Sequence, residues 1–217
     1  IVAGSPDTSA SRSPAGRSAA RTVTKVSIVR PFHGPPLDFD QALDAVKSAR
    51  FRPEMTVTEI PAPQRLAPHS LAVAAEIQGA QEEDLASGRF VLLHDPTGQE
   101  AWQGTTRVVT FVRARLESEF ADDPLLSDVA WTWVTEALAD GDALAAELGG
   151  TVTRVLSHSH GVLADREPSV EVEVRASWTV VDGDVRPHLE AWSTMLCTAA
   201  GLPPLPEGVL SLRRPLR

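Results

Sequence analysis

Two adjacent residues, His94 and Asp95, have the chemistry of an acid/base pair. A histidine titrates near neutral pH, and a neighbouring carboxylate can orient its ring. Glu100 follows in the same connection, and Arg113 and Arg115 bring positive charge on the next predicted strand, so these five residues form a candidate ligand site. The competing interpretation is structural, because an aspartate before proline bonds its own backbone and adjacent strand residues point to opposite faces. We favour the structural interpretation.

A second candidate is a metal site at His158 and His160, which share one strand face at a spacing that metal sites use. Further ligands would have to come from elsewhere, and Asp165 and Glu167 are the nearest carboxylates. A structural role is therefore the favoured alternative for both histidines. The chain contains no nucleophile motif and no glycine-rich phosphate loop, so the sequence predicts no catalytic residue and no cofactor.

The composition is that of a protein with one core. The chain has 217 residues, a net charge of −9 and 42% hydrophobic residues, which suits a single globular domain with a tail. Its one cysteine, Cys197, falls in an apolar helical stretch and rules out a disulfide framework, so a cytoplasmic location is expected. No apolar run reaches the roughly 18 residues of a membrane span, and no membrane partner is expected.

Residues 1–36 differ in composition from the rest of the chain. They are rich in Ser, Arg, Ala, Gly and Pro and carry five basic residues against Asp7 alone, a net charge of +4. Such a segment has too little apolar surface to bury, so residues 1–36 are predicted to be a disordered basic arm and 37–217 a single domain. Nucleic acid is not an expected partner of the arm, because the acidic body would repel it.

The middle of the chain predicts two strands joined by a turn. Residues 90–93 are an apolar run of strand length, and residues 95–98 have the order Asp-Pro-Thr-Gly of a type I turn. In the second strand, apolar and polar residues alternate, which places one face in the core and a basic face towards water or a partner. The polar positions are held by Arg107, Arg113 and Arg115, interrupted by Val109 and Phe111.

Helical periodicity predicts three helices. The first begins after an Asp38 cap, the second follows Asp123 as its cap and Pro124 at its first position, and the third ends before Gly201. Trp131 lies at the edge of the apolar stripe of the second helix. It is a candidate partner-binding residue, although a tryptophan at a helix margin more often covers neighbouring core.

The predicted strands are amphipathic and joined by hairpins, which argues against a parallel sheet covered on both faces. Residues 170–180 alternate most clearly, and their polar Glu171 and Glu173 would pair with the arginines of the central strand if the two strands are neighbours. The predicted class is α+β: a single two-layer domain with a mostly antiparallel sheet of about six strands and helices packed on one face.

Several strings carry a family resemblance. They are APQRLAP at 62–68, GRFVLLHDP at 88–96, QEAW at 99–102, LEAW at 189–192 and CTAAGLPPLPEG at 197–208. Together they resemble an uncharacterised actinobacterial family, domain of unknown function three thousand, over about residues 37–212. The resemblance implies an actinobacterial source, and it supplies no activity, cofactor or catalytic residue.

The favoured function is a non-enzymatic cytoplasmic module, protein-binding or chaperone-like, that takes another protein or itself as partner. The alternative is a small enzyme or a metabolite- or metal-binding protein that uses His94 with Asp95, or His158 with His160. Nucleic-acid binding through the arm and the arginines is the weakest interpretation, because the chain is acidic and has few aromatic residues for stacking.

Overall fold

A computed structural model of the chain describes residues 37–49, 51–79 and 83–203, which belong to one compact unit. These residues form three α-helices and six β-strands, with short 3-10 turns in some of the connections. In chain order the elements are α1 (Phe39–Ser48), β1 (Met55–Glu59), β2 (His69–Gln78), β3 (Asp84–Gln99), β4 (Gly104–Leu116), α2 (Leu126–Asp140), β5 (Ala145–Ser157), β6 (Ser169–Val180) and α3 (Arg186–Ala199).

The six strands form one antiparallel sheet in the order β1-β2-β3-β4-β6-β5. After β4 the chain passes through α2, forms the edge strand β5 and returns as β6 to pair with β4. Hence β1 and β5 are the two edges, and the last strand in sequence lies inside the sheet. The α+β class and the six-stranded antiparallel sheet are as predicted, and so is the pairing of β3 with β4. The predicted position of the turn is wrong, because residues 95–98 form an irregularity within β3 and the hairpin closes through the 3-10 turn Glu100–Trp102.

The core lies between the helices and one face of the sheet. Alternate residues of each inner strand are buried there, and they form a single cluster with the buried residues of the helices. In β6 the buried alternate residues are Val170, Val172, Val174, Ala176 and Trp178. In α3 they include Leu189, Trp192, Met195 and Leu196. The other face of the sheet, which we call the open face, carries none of the three helices.

The helix starts agree only partly with the predicted caps. Asp38 caps α1 as predicted, since its Oδ1 accepts a hydrogen bond from Asp40 N at 3.0 Å. The predicted start of α2 is wrong by two residues, because Asp123 Oδ1 accepts from Leu125 N at 2.8 Å and the helix begins at Leu126. The carboxylate therefore closes a turn ahead of the helix instead of capping it.

Several predictions concern chain ends that the structure does not describe. The predicted arm, residues 1–36, lies outside the described residues, as does everything after residue 203. Among the helices of the described part, none combines the length and the apolar character needed to cross a membrane.

Candidate functional site: the open face of the sheet

His94 and Asp95 lie near the end of β3, but their side chains have different partners. The His94 ring is buried on the helix-facing side, where Nδ1 lies 2.9 Å from the Thr106 hydroxyl. Burial, and after it the neighbouring His69, lowers the pKa of His94. Asp95 Oδ1 instead accepts hydrogen bonds from Thr97 N at 3.0 Å and Thr97 Oγ1 at 2.7 Å, which lower the pKa of the carboxyl. These are the bonds that the structural interpretation predicts for Asp95.

The other three residues of the candidate ligand site lie apart from this pair. Glu100 is exposed in the 3-10 turn between β3 and β4. Thr106, which lies opposite His94, and Arg113 are seven positions apart on β4, roughly 23 Å at about 3.3 Å per residue. Arg115 lies farther along the same strand. The structure therefore does not bring the five residues together into one site.

His158 and His160 are both exposed in the connection that follows β5. Across the described residues, no group of three or more His, Cys, Asp or Glu side chains is placed to hold a metal ion. The predicted pair of histidines thus has no third ligand within this part of the chain.

Trp131 is half-buried and packs against the core from α2. It lies over Gly150 on β5, so closely that a Cβ atom placed on Gly150 would be 2.7 Å from Trp131 Cζ3. The indole therefore covers the outer part of the core beneath the edge strand, which is the competing interpretation of this tryptophan.

Substituting Gly150 with alanine is expected to lower the free energy of unfolding by about 1–3 kcal/mol. The added methyl group would collide with the carbonyl oxygen of Arg175, a backbone atom that cannot rotate away, as well as with Trp131. Urea denaturation measures the loss. Gly149→Ala is the matched control, because nothing lies within 4 Å of a Cβ atom at Gly149. Equal stabilities of the two variants would contradict the close approach.

A row of three side chains crosses the middle of the open face. Arg89 on β3 lies opposite Phe111 on β4, and Phe111 lies opposite Arg175 on β6. Arg175 Cζ is 5.1 Å from the centroid of the Phe111 ring, within the range of a cation–π interaction. In the neighbouring row, Val91 and Val109 extend the apolar floor. These side chains line an open depression of about 710 Å³.

Positive charge is concentrated in the middle of the open face. Arg89 forms no ion pair with any described residue, whereas Arg175 Nη2 lies 2.9 Å from Glu173 Oε2. Arg107 is held by neutral groups, since it donates to Ser177 Oγ at 2.7 Å, and burial lowers the pKa of its guanidinium. Towards one end of the face, Glu76, Glu83, Asp84 and Glu171 lie with Arg113 and Arg115 around a second depression, so the charges there are mixed. The depression around Phe111 is lined by Arg89 and Arg175 and by no acidic residue, and it is therefore basic, although the chain as a whole carries −9.

The glutamates of β6 lie beside the arginines of β4, as predicted for neighbouring strands. Arg115 lies opposite Glu171 and Arg113 opposite Glu173. Arg113 reaches diagonally, and its Nε donates to Glu171 Oε2 at 3.0 Å. This ion pair raises the pKa of the Arg113 guanidinium. The pairing leaves Arg89 and Arg115 as the arginines of this face that have no ion-pair or side-chain hydrogen-bond partner within the described ranges.

The strands that form the open face lie within a region of the chain that matches a known protein family. Residues 35–210 match the family described as protein of unknown function (DUF3000). The chain belongs to this family. The resemblance noted in the sequence is thereby confirmed at the level of the family. Comparisons of this DUF3000 protein with curated proteins and with solved structures give no match. Its chemistry therefore has to be inferred from its own geometry.

The row on the open face of this DUF3000 protein was missed by the sequence patterns. Arg89 and Arg175 have the usual exposed positions of charged residues in an amphipathic strand, so nothing in the pattern singles them out. Phe111 and Val109 are the one available signal, because they interrupt the polar positions of β4. Large apolar residues at solvent-facing positions of a strand indicate a binding surface, because water does not favour them there.

Proposed function

We propose that the protein is a non-enzymatic protein-binding module whose open face holds an acidic segment of a partner protein that also presents an aromatic or apolar side chain. The observation that carries this proposal is the row of Arg89, Phe111 and Arg175, an aromatic ring between two arginines on a sheet face without helices. Aromatic residues and arginine are enriched at protein interfaces and dominate their binding energy.

The shape of the site favours a polypeptide over a small metabolite. Small-molecule sites are concave and bury most of the ligand surface, whereas the depression around Phe111 is open to solvent. The alternative function, a small enzyme or a metabolite- or metal-binding protein, has no comparable support. Asp95 bonds Thr97 instead of His94, and the exposed His158 and His160 have no third ligand within the described residues.

Charge complementarity favours an acidic occupant from another molecule. The two ends of this chain that lie outside the described residues are both basic, since residues 1–36 carry +4 and residues 204–217 contain three arginines and one glutamate. The two arginines of the depression, Arg89 and Arg175, repel such segments. Nucleic acid is acidic, but the chain carries −9 overall and Phe111 is the single aromatic residue that the described strands present on this face, so stacking of successive bases is not supported.

We also propose a cytoplasmic location and an actinobacterial source. The location is supported by the single cysteine, whose thiol at Cys197 is buried in α3 with its pKa raised by burial to about 11, so that it is neither paired nor reactive. The source is supported by the family resemblance and by the excess of arginine over lysine.

Reversing the charge of Arg89 is expected to weaken partner binding by tenfold or more, about 1.4 kcal/mol per factor of ten. Full-length wild type, Arg89→Glu, Phe111→Ala and Arg166→Glu serve as baits in native cytosol, and captured proteins are quantified by mass spectrometry. Arg166 is exposed and lies outside the open face, so Arg166→Glu is the matched charge control. The proposal predicts a protein that is retained by this control and lost with both site variants.

Crosslinking then tests the chemistry of the occupant. Crosslinks from the open face are expected to fall in an acidic segment of the captured protein, and a synthetic peptide of that segment is expected to lose affinity when its acidic residues are replaced by glutamine. Identical captured sets for Arg89→Glu and Arg166→Glu, or crosslinks to a basic segment, would refute the proposal.

A further inference from the structure

The two edges of the sheet differ in how well they are protected against pairing. Strand β1 is five residues long and lies between Pro53 and Pro61. Short length and proline are two features that commonly prevent an edge strand from pairing with another chain. Strand β5 is 13 residues long and contains neither proline nor lysine. Its irregularity is confined to its first part, between Ala146 and Gly149. Nine regular positions, residues 149–157, thus form an edge without the usual protection.

The outer side of β5 offers unpaired backbone groups. Within the described ranges, β5 pairs with β6 and with no other strand. In an antiparallel edge strand, every second residue directs its N–H and C=O away from the sheet. None of the 13 residues of β5 is buried, so no described element covers this edge. The strand is therefore a template for one more strand.

The side chains of residues 149–157 are almost entirely neutral. Arg154 is the one charged residue, and its Nη1 donates to the carbonyl oxygen of Asp123 at 2.9 Å, so the guanidinium is turned back onto its own chain. The other positions are Gly, Thr, Val, Leu and Ser, with Leu156 among the exposed large apolar residues. The opposite edge strand, β1, ends in Glu59. This nearly neutral edge lies on a chain of net charge −9.

We propose that β5 pairs antiparallel with β5 of a second copy of this chain, so that two six-stranded sheets become one continuous sheet around a two-fold axis. Two acidic molecules repel each other, and they approach with least repulsion where each is neutral. The acidic partner of the open face does not suit this edge, because the edge offers no free positive charge.

Self-pairing also brings compatible side chains of the two edge strands together. An antiparallel pair of identical strands is its own partner under two-fold symmetry. The open-face positions Thr151, Thr153 and Val155 would then meet Thr and Val of the other copy, which are favourable cross-strand pairs. No like charges are opposed in this arrangement. The proposal is independent of the function proposed for the open face, since it uses the backbone edge and not the arginine row.

Sedimentation equilibrium of the full chain is expected to give twice the monomer mass of 23.2 kDa. Thr153→Lys is expected to raise the dissociation constant of the dimer at least tenfold, because a lysine on an edge strand opposes pairing. In the monomer this lysine lies opposite Glu173 and is tolerated. The matched control is Thr56→Lys on β1, where the new lysine lies opposite Glu76 and the dimer is expected to persist.

Hydrogen exchange locates the interface independently of the variants. The amides of residues 149–157 that point away from β6 are expected to be protected in the dimer and to lose this protection in Thr153→Lys, whose circular dichroism spectrum stays that of wild type. A wild-type chain that remains monomeric at about 100 μM, equal weakening by Thr56→Lys and Thr153→Lys, or a dimer without protection of β5 would each overturn the proposal. Protection of β5 that appears only with a different protein would also overturn it, by assigning the edge to that protein.

Discussion

Replacing Trp178 with alanine is expected to lower the free energy of unfolding by about 4 kcal/mol. Trp178 lies fully buried on β6, and its Nε1 donates a hydrogen bond to His188 Nδ1 on α3 at 2.9 Å. Alanine removes most of the buried apolar atoms, leaves a cavity and takes the donor away from the imidazole. Domains commonly have a free energy of unfolding of only about 5–15 kcal/mol, so this substitution would remove a large part of the stability of the native state. Urea denaturation followed by circular dichroism measures it.

Two further variants separate the contributions of Trp178. Trp178→Phe retains a buried ring and loses the hydrogen bond, so a loss of about 1–2 kcal/mol is expected. Trp133→Ala removes a half-buried tryptophan on α2 and is expected to cost clearly less than Trp178→Ala. Equal losses at the two tryptophans would contradict the central position of Trp178. If Trp178→Ala does not fold, unchanged stability of Trp178→Phe would refute the contribution of the hydrogen bond.

Acidification is expected to destabilise the protein through His188. The side chain is fully buried, and burial lowers its pKa from 6.5 to about 4. Its Nδ1 lone pair accepts the hydrogen bond from Trp178, so the neutral ring carries its proton on Nε2. Protonation must take place at Nδ1, which breaks that bond and places a charge in the core. The native state therefore holds His188 neutral where the unfolded chain already binds a proton.

The sign of the effect follows from these two pKa values. Above about pH 6.5 the histidine is neutral in both states, and its full contribution to stability is present. Between about 6.5 and 4 only the unfolded state binds the proton, so the free energy of unfolding falls by about 1.4 kcal/mol per pH unit, about 3 kcal/mol in total. Burial also lowers the pKa of His94. Protonation of His94 therefore also makes the wild-type free energy of unfolding fall as the pH falls.

A substitution isolates the part of this slope that belongs to His188. His188→Asn keeps an acceptor for Trp178 and removes the titrating group, so its stability is expected to depend less on pH between 7 and 4.5. The exposed His158→Asn is the matched control and is expected to keep the wild-type slope. Urea denaturation at several pH values gives both slopes. An unchanged slope in His188→Asn would show that His188 is not the group responsible.

Local patterns were sufficient to predict most of the secondary structure. The alternation of residues 170–180 and the two strands around 90–116 depend on side chains close in sequence, and these strands are present in the structure. The Asp38 cap is likewise a contact between near neighbours. The turn between the two strands around 90–116 was misplaced, because Asp95-Pro96-Thr97-Gly98 forms an irregularity within β3 and not the end of the strand. The start of α2 was misplaced because the Asp-Pro pair at 123–124 suits a turn as well as a cap, and the chain uses it for a turn.

The candidate site was much less predictable from the sequence. His94 and Asp95 attract attention because they are adjacent, but adjacency along a strand sends the two side chains to different partners, Thr106 and Thr97. The row on the open face joins positions 89, 111 and 175, which are far apart in sequence. No local spacing relates them, so no motif could have named Arg89 or Arg175.

The sequence alone specifies which faces of the strands are apolar, where the helices run and which family the chain belongs to, because these properties depend on neighbouring residues and on long matching strings. The order of the strands depends on long-range pairing. Placing β6 between β4 and β5 brings Arg175 beside Phe111 and leaves β5 as an edge. If β5 were the neighbour of β4 in the sheet, Arg175 on β6 would lie one strand farther from Phe111. Both proposed surfaces therefore arise from tertiary structure, since each is created by which strands become neighbours.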